Sequence, residues 1–453
     1  MRGLHPVTLP ERRNYDFRML MSGEPLSRPP SATGMNWQEA PHNRWSFWHL
    51  RELLPTQRVA RGDGPTRLLP DHTADHDVLG VEVSLPQGSS ASVADVFEHT
   101  FTDAYAVTQD GRLVAEGYAR TGGPAQTHAV LSVTKSVVGC VAGVLAGRGL
   151  LDVDRDVVEY VPELAGGGFE GATVRHLLDM RSGVRFREDY ANPYAEIRRL
   201  GRWVVARSAR STDAPRGLYP FLATLRAEAP HGSRFLYRSA ETDALGWVCE
   251  RAGDARMADL VSTLLWGPMG AEHDADLLCD RLGAGVHDGG LATTARDLLR
   301  FGLLLLDGGA VPDGAGEMVQ VVPARWLRDS WGVTSDLRGA FAASPAELSF
   351  PGGWYRNQLW FRPGRHGDVL LGLGIHGQLL HVCRRTRTVT VKLSSWPEAQ
   401  NPTYMHNTLA ALEAIGGALA YGDSQDSTHH PPGVAPGLGR RDARSRRAGG
   451  SIV

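Results

Sequence analysis

The sequence predicts an α+β fold in which both ends of the chain complete one antiparallel sheet, flanked by helices, around an inserted and mostly helical region. Two strand patterns occupy 103–118 near the start of this arrangement, and three closely connected ones occupy 368–393 near its end. Between about 150 and 280 the patterns are helical or irregular. The 453 residues, of which 42% are hydrophobic, are enough for one large core.

The amino-acid composition along the chain predicts three segments. Residues 1–85 are rich in Pro, Arg and Gly, with aromatic residues such as Trp45, Phe47 and Trp48, and we expect an N-terminal arm that packs on the main domain. Residues 86–423 form the predicted main domain. Residues 424–453 are low in apolar content, and this tail is predicted to be disordered.

Local signals define the elements in order. Asp110 and Gly111 separate two strand-like runs and predict a hairpin turn. Apolar residues at helical spacing after Ser132 predict a helix with one buried stripe, which ends at Gly147 or Gly149. Further helices are predicted at 173–180, 240–251, 294–306 and 323–331, strands at 368–373, 378–383 and 388–393, and a last amphipathic helix that contains Met405, Leu409, Leu412, Ile415 and Leu419.

Charge and composition narrow the partners and the compartment. A formal net charge of −2 favours neither nucleic acid nor an anionic membrane. No apolar run is long enough for a signal peptide or a membrane-spanning helix, so we expect a cytoplasmic protein. The four cysteines are far apart in sequence and are predicted to be buried thiols. A homodimer is compatible with the sequence, and we expect a small-molecule substrate without a metal or cofactor.

Only two of the 48 basic residues are lysines, Lys135 and Lys392. An arginine cannot lose its proton in a protein, so a retained lysine suggests an amine that becomes neutral, as a general base requires. Lys135 lies one helical turn after Ser132, which places the hydroxyl and the amine on one helix face. The start of a helix favours an oxyanion and is expected to lower the pKa of the amine. The alternative is a capping serine beside a surface lysine.

Two later segments strengthen the catalytic interpretation. Tyr237 precedes Ser239 by two residues at the start of a predicted helix, and supplies a phenol beside a small polar group. Gly372 and Gly374, followed by Ile375, lie at the end of a predicted strand. The same glycines match a dinucleotide-binding pattern, but a strand rather than a helix follows them, which argues against that site. A structural role for His376 is at least as plausible as a catalytic one.

With these three motifs the sequence resembles the penicillin-recognising serine hydrolases, the serine β-lactamase-like family. The resemblance implies a β-lactamase/transpeptidase-like fold in which Ser132 is the nucleophile, Lys135 the general base and Tyr237 a proton relay to the leaving group. It also implies an oxyanion hole formed by the backbone N–H groups of Ser132 and Ile375. By the same resemblance Gly372 replaces a lysine that binds the β-lactam carboxylate, so efficient β-lactam turnover is not expected.

Many short matches between about 35 and 410 resemble one branch, the 6-aminohexanoate-dimer hydrolases. They include segments at 37–45, 175–183, 188–190, 242–246, 294–297 and 375–378. The resemblance implies substrate-binding roles for Tyr190, Trp360, Ser239 and Asp288. Leu359 replaces a tryptophan of this branch and is expected to reshape the pocket.

These motifs predict the hydrolysis of small linear amides through an acyl-enzyme. A carboxylesterase of the same fold is the alternative. A β-lactamase or DD-peptidase is less favoured, as is a binding protein that keeps the fold without catalysis.

Overall fold

A computed structural model describes residues 28–29, 31–119, 122–205, 217–313 and 316–421. The predicted disordered tail at 424–453 lies outside the described residues. The strands are β1 (Thr56–Val59), β2 (Glu82–Ser84), β3 (Ser90–Ser92), β4 (Thr102–Gln109), β5 (Arg112–Tyr118), β6 (His128–Ala129), β7 (Ala275–Leu278), β8 (Leu291–Thr293), β9 (Ala310–Pro312), β10 (Met318–Gln320), β11 (Trp354–Arg356), β12 (Leu359–Gly364), β13 (Gly367–Gly374), β14 (Gln378–Cys383) and β15 (Thr388–Ser394).

The helices lie between Asn43 and Tyr421. They are α1 (Asn43–Ser46), α2 (Leu50–Leu53), α3 (Val93–His99), α4 (Thr134–Gly147), α5 (Val157–Tyr160), α6 (Val174–Leu178), α7 (Glu196–Val205), α8 (Leu218–Ala223), α9 (Ser239–Gly253), α10 (Met257–Val261), α11 (Ala295–Leu306), α12 (Ala324–Trp331), α13 (Ser335–Ala342), α14 (Ala346–Ser349) and α15 (Pro402–Tyr421). Short 3-10 turns occur at Leu131–Val133, Pro162–Leu164 and Ile375–Gly377, and a π-helical turn at Ser262–Trp266.

The main sheet has seven antiparallel strands in the order β11-β12-β13-β14-β15-β4-β5. The late strand β15 pairs with the early strand β4, so both ends of the domain complete one sheet, which confirms the predicted fold class. The hairpin β4–β5 turns at Asp110 and Gly111, which both have positive φ, as the predicted turn requires.

Helices cover both faces of this sheet. One face packs against α4 and α11 and the helical region beyond them, through residues such as Ala106, Leu380 and Val391. The other face packs against the terminal helices α3 and α15, whose buried side chains include Phe97, Leu412 and Ile415. Alternating side chains of each strand therefore enter two separate cores.

A second, four-stranded antiparallel sheet has the order β1-β7-β8-β6. Its first strand comes from the N-terminal segment, whose Trp45, Phe47 and Trp48 are buried in the main core. Its last strand, β6, leads directly into the turn that carries Ser132. The boundary at residue 85 stays a prediction, while the burial of these aromatic rings ties the described part of the segment to the rest of the protein.

The helix after Ser132 differs from its prediction in one respect. The sequence predicts one buried stripe, but every residue from Thr134 to Leu145 is buried. The reason is that α4 lies between α9 on one side and the main sheet on the other. A helix that packs on all sides has no polar face to create a periodic pattern. The four cysteines are free and buried, as predicted. The described residues contain no helix that is long and apolar enough to cross a membrane.

Candidate active site

The turn that carries Ser132 is fixed by hydrogen bonds on both sides. The Val130 N–H donates to the carbonyl of Leu291 at 2.9 Å. The hydroxyl of Thr134 donates to the carbonyl of Leu131 at 2.6 Å and accepts from the Leu291 N–H at 3.0 Å. Leu131 has a φ of 47°, a region that bulky residues rarely adopt, so the surrounding structure holds this turn in a strained conformation.

Lys135 lies beneath this turn with a side chain that is almost completely buried. Its ammonium group donates to Ser132 Oγ at 3.1 Å, Ser239 Oγ at 3.1 Å and the carbonyl of Asp288 at 2.6 Å. A lysine has three N–H donors, and each finds an acceptor here. The nitrogen is thus directed at the Ser132 hydroxyl, and the alternative of a surface lysine does not hold.

The pKa of Lys135 is raised, whereas the position of this lysine near a helix start predicts a lowered one. Burial lowers this pKa, but the neighbouring Tyr237, Asp288 and Glu188 outweigh burial and leave the pKa above its usual value. The expectation that the helix start lowers the pKa of this amine is therefore wrong, because nearby acidic groups stabilise the ammonium ion. The site at rest holds a protonated lysine.

Tyr237 completes a compact group with Ser132 and Lys135. The Lys135 nitrogen lies 5.0 Å from the centre of the Tyr237 ring. Burial raises the pKa of Tyr237, while Lys135 and a hydrogen bond with Ser132 counteract part of that rise. The phenol is thus protonated at neutral pH and stands beside the hydroxyl of Ser132, where it can donate a proton to a departing group.

Glu188 is a functional candidate to which the sequence assigned no role. Its carboxylate accepts a hydrogen bond from the Tyr190 hydroxyl at 2.9 Å and another from the Ser239 N–H. Burial raises the pKa of Glu188, and Lys135 opposes that rise. Glu188 stands in one of the short motifs quoted above, but only its approach to Lys135 in space reveals a charge partner.

The strand end near Ile375 approaches the Ser132 turn closely. A Cβ on Gly374 would lie 2.7 Å from the carbonyl oxygen of Val130, so only glycine allows this approach. His376 has a φ of 58°, and its ring contacts the Trp396 carbonyl at 2.7 Å, which gives it a structural position. Gln378 donates to the carbonyls of His376 at 3.2 Å and Ser394 at 2.6 Å, and thereby stabilises the turn.

Two cavities, of about 280 and about 400 Å³, meet at Ser132, Tyr190 and Ile375. Trp360 lines the larger cavity, and Asp288 lines the smaller one with its carboxylate 3.9 Å from the Lys135 nitrogen.

Two sequence expectations need a different interpretation. Ser239 is fully buried and accepts a hydrogen bond from Lys135, so its position suits orientation of the lysine rather than contact with substrate. Leu359 lies in the main core and lines neither cavity, because neighbouring residues of β12 point to opposite faces of the sheet. Among the described residues there is no cluster of three or more metal-ligating side chains.

A family model described as Beta-lactamase matches residues 93–414, which include all of the residues around Ser132 described above. The chain belongs to the β-lactamase family. As a member of this family it is a serine hydrolase with the β-lactamase/transpeptidase-like fold. Gly372 lies on β13 next to Val133, and it supplies no cation to the site.

Individual relatives and solved structures resemble the chain over most of its length. The chain is 39% identical to the 6-aminohexanoate-dimer hydrolase of Paenarthrobacter ureafaciens over 83% of this chain and 92% of that protein. A solved structure named "Putative 6-aminohexanoate-dimer hydrolase from Bacillus anthracis" superposes with a TM-score of 0.75 at 25% identity, and covers 87% of this chain and 98% of that one. EstCE1, a hydrolase with promiscuous acyltransferase activity, shares the fold at 18% identity with a TM-score of 0.52, over 71% of this chain and 98% of its own.

Proposed function

We propose that this β-lactamase-family hydrolase cleaves small linear amides through an acyl-enzyme on Ser132. The observation that carries the proposal is the contact of 3.1 Å between the Lys135 nitrogen and the Ser132 hydroxyl, with Tyr237 beside both. The relative from Paenarthrobacter ureafaciens, named for the 6-aminohexanoate dimer, supports a linear amide as the substrate class.

The proposed reaction has two halves. Lys135, once it has released its proton, accepts the proton of Ser132 as the serine oxygen attacks the amide carbon. The backbone N–H groups of Ser132 and Ile375 stabilise the oxyanion, a contribution of about 100-fold or more in rate for each donor. Tyr237 protonates the nitrogen of the amine as it leaves and recovers a proton from Lys135. A water molecule then attacks the acyl group and loses a proton to the neutral Lys135, and the acyl group leaves as a carboxylic acid while Ser132 recovers its proton.

Three other functions compete with this proposal. A carboxylesterase would use the same residues, since an ester is easier to cleave than an amide. A β-lactamase or DD-peptidase is disfavoured by Gly372, and a non-catalytic binding protein by the intact group of Ser132, Lys135 and Tyr237. Homodimer formation and a cytoplasmic location stay predictions.

A substrate panel distinguishes these functions. The linear 6-aminohexanoate dimer, a matched ester of the same acyl group and a chromogenic cephalosporin are compared with the protein and with Ser132→Ala. We expect hydrolysis of the dimer or the ester, cephalosporin turnover slower by orders of magnitude, and none of these activities in Ser132→Ala. Fast cephalosporin turnover with neither linear substrate cleaved would contradict the proposal, and so would activity in Ser132→Ala.

A further inference from the structure

Helix α9 presents one face to the surroundings of Lys135. Along this face lie, at intervals of four, three and four residues, Ser239, Asp243, Gly246 and Glu250. Ser239 accepts a hydrogen bond from Lys135, and the other three residues contact the loop between β7 and β8. One helix face therefore holds both the lysine and a loop that lies beside it.

Asp243 holds this loop by its backbone. The Oδ1 atom of Asp243 accepts hydrogen bonds from the N–H groups of His287 and Asp288, each at 3.0 Å. The Asp243 side chain is fully buried and lines neither of the two cavities that meet at Ser132. Asp243 therefore contacts the loop and not a substrate bound in these cavities.

The loop supplies Lys135 with one of its hydrogen-bond acceptors. The Asp288 carbonyl accepts from the Lys135 nitrogen at 2.6 Å, and the Ser239 hydroxyl accepts from it at 3.1 Å. Once Lys135 has lost a proton, the neutral amine has two N–H donors and one lone pair. With the two donors directed at Asp288 and Ser239, the lone pair faces the third neighbour, the Ser132 hydroxyl at 3.1 Å. A carbonyl can only accept, whereas a hydroxyl can also donate, so the Asp288 carbonyl fixes this orientation more strictly.

We propose that Asp243 is a positioning residue, which holds the Asp288 carbonyl against Lys135 and thereby keeps the lone pair of the neutral amine directed at Ser132. This role rests on the proposed function, in which Lys135 takes the proton of Ser132. Burial and the nearby Asp288 carboxylate raise the pKa of Asp243 well above its usual value, although Lys135 opposes that rise. The Oδ2 atom of Asp243 has no hydrogen-bond partner in the described part of the chain. A neutral acid at this position acts through its Oδ1 acceptor, which an asparagine also provides.

The rate at which a fluorophosphonate labels Ser132 tests this role without any amide. The Ser132 oxygen attacks phosphorus, fluoride leaves and Lys135 takes the serine proton, so the rate reports on the nucleophile and its base. We expect Asp243→Ala to slow labelling by about tenfold or more, because the base is no longer oriented. Asp243→Asn keeps the Oδ1 acceptor and should label at a rate close to that of the wild type. Asp243→Thr, which has nearly the volume of aspartate but no atom at the Oδ1 position, should behave like Asp243→Ala and replaces it if that variant does not fold.

Asp297 provides a matched control. It is a fully buried aspartate of α11 that also accepts from two consecutive backbone N–H groups of a distant segment, those of Glu272 at 2.7 Å and His273 at 3.0 Å, and it lines neither cavity. Asp297→Ala should therefore label at a rate close to that of the wild type. Wild-type rates in Asp243→Ala or Asp243→Thr, an equal loss in Asp297→Ala, or an equal loss in Asp243→Asn would overturn the positioning role. A wild-type protein that is not labelled at Ser132 would contradict the proposed function itself, and this inference with it.

Discussion

The two lysines of the chain have opposite environments. Lys135 stands among Tyr237, Asp288 and Glu188 and has a raised pKa, whereas burial lowers the pKa of Lys392 to about 7. Because only two of the 48 basic residues are lysines, the sequence alone indicates Lys135 as a candidate base. The sequence could not give the sign of either pKa shift, because the shifts depend on neighbours that are distant along the chain and close in space.

A protonated Lys135 predicts activity that rises with pH. The base form needed to accept the Ser132 proton becomes more abundant as pH approaches the pKa of the amine, so kcat/KM should increase from pH 7 toward alkaline pH. Glu188 is one of the groups that raise this pKa. In Glu188→Gln the rise should therefore occur at lower pH. A pH profile with a short ester measures this shift, and Glu163→Gln, on the surface beside Arg251, is the control. An unchanged profile in Glu188→Gln would contradict the assigned charge coupling.

The role of Lys135 as a base predicts that arginine cannot replace it. Lys135→Arg keeps the positive charge, but a guanidinium does not release its proton at any pH at which the protein is folded. We expect turnover to fall by roughly a thousandfold or more, because both base catalysis and activation of the nucleophile are lost. The loss should be about the same as in Lys135→Ala. Steady-state rates with the ester check this result. Near-normal rates in Lys135→Arg would mean that the lysine acts only through its charge.

Tyr237 should matter more for amides than for esters. An amine must be protonated as it leaves, whereas a phenolate leaves without a proton. Tyr237→Phe is therefore expected to lower kcat/KM for an amide by about 100-fold or more and to lower that for a matched phenyl ester much less. A comparison of both substrates with one acyl group measures the difference. Equal losses would show that Tyr237 orients Ser132 and Lys135 instead of protonating the leaving group.

At the scale of elements, the sequence predicts the long strands and gives no signal for several short ones. The hairpin at 102–118 and the strands β13 to β15 were found because their apolar runs are long and bounded by turns. The strand β11, of three residues, and the small sheet built from β1, β6, β7 and β8 gave no periodic signal. Short strands acquire their structure from their partners in the sheet, and those partners are far away in the sequence.

The turn at Ile375–Gly377, which carries the proposed oxyanion donor Ile375, is held in place by Gln378. The Gln378 side chain accepts from the Ser394 N–H at 3.1 Å and donates to the His376 carbonyl at 3.2 Å, and so holds the turn that contains Ile375. Gln378→Ala should lower kcat by about tenfold or more and change KM little, because the oxyanion exists only during the reaction. Gln109→Ala removes a glutamine hydrogen bond at the far end of the sheet, from the Gln109 side-chain amide to the Leu419 carbonyl. Equal kinetic effects of the two variants would argue against a positioning role for Gln378.

At the scale of the whole molecule, the residues of the candidate site could be located by motif, whereas its shape could not. Ser132, Lys135 and Tyr237 belong to short patterns that a sequence displays directly. The two cavities that meet at Ser132 are assembled from distant segments, including the N-terminal residues near Trp37, helix α7 and the region around Phe350. No local pattern in the sequence indicates that these segments meet, so the shape of the site appears only in the folded protein.

Lys392 links the stability of the whole molecule to pH. Its fully buried amine donates to Ser394 Oγ at 2.5 Å and to the Thr100 carbonyl at 3.3 Å. Its folded-state pKa of about 7 lies below the usual 10.5, so between these pH values the unfolded chain binds one more proton than the folded chain. The free energy of unfolding that depends on this neutral amine is fully present above pH 10.5. It decreases as pH falls from 10.5 toward 7 and is lost below pH 7.

Replacement of this amine by a neutral side chain should therefore stabilise the protein most at low pH. We expect Lys392→Met to have a higher Tm than the wild type at pH 6, and the gap to narrow steadily as pH rises from 7 toward 10. Each unit of pKa shift corresponds to about 1.4 kcal/mol, so the change in the free energy of unfolding amounts to several kcal/mol. Thr390→Val, two residues earlier on the same strand, replaces a buried hydroxyl that does not titrate and should shift Tm equally at all pH values. A gap between Lys392→Met and wild type that stays constant from pH 6 to pH 10 would show that Lys392 is not neutral in the folded protein.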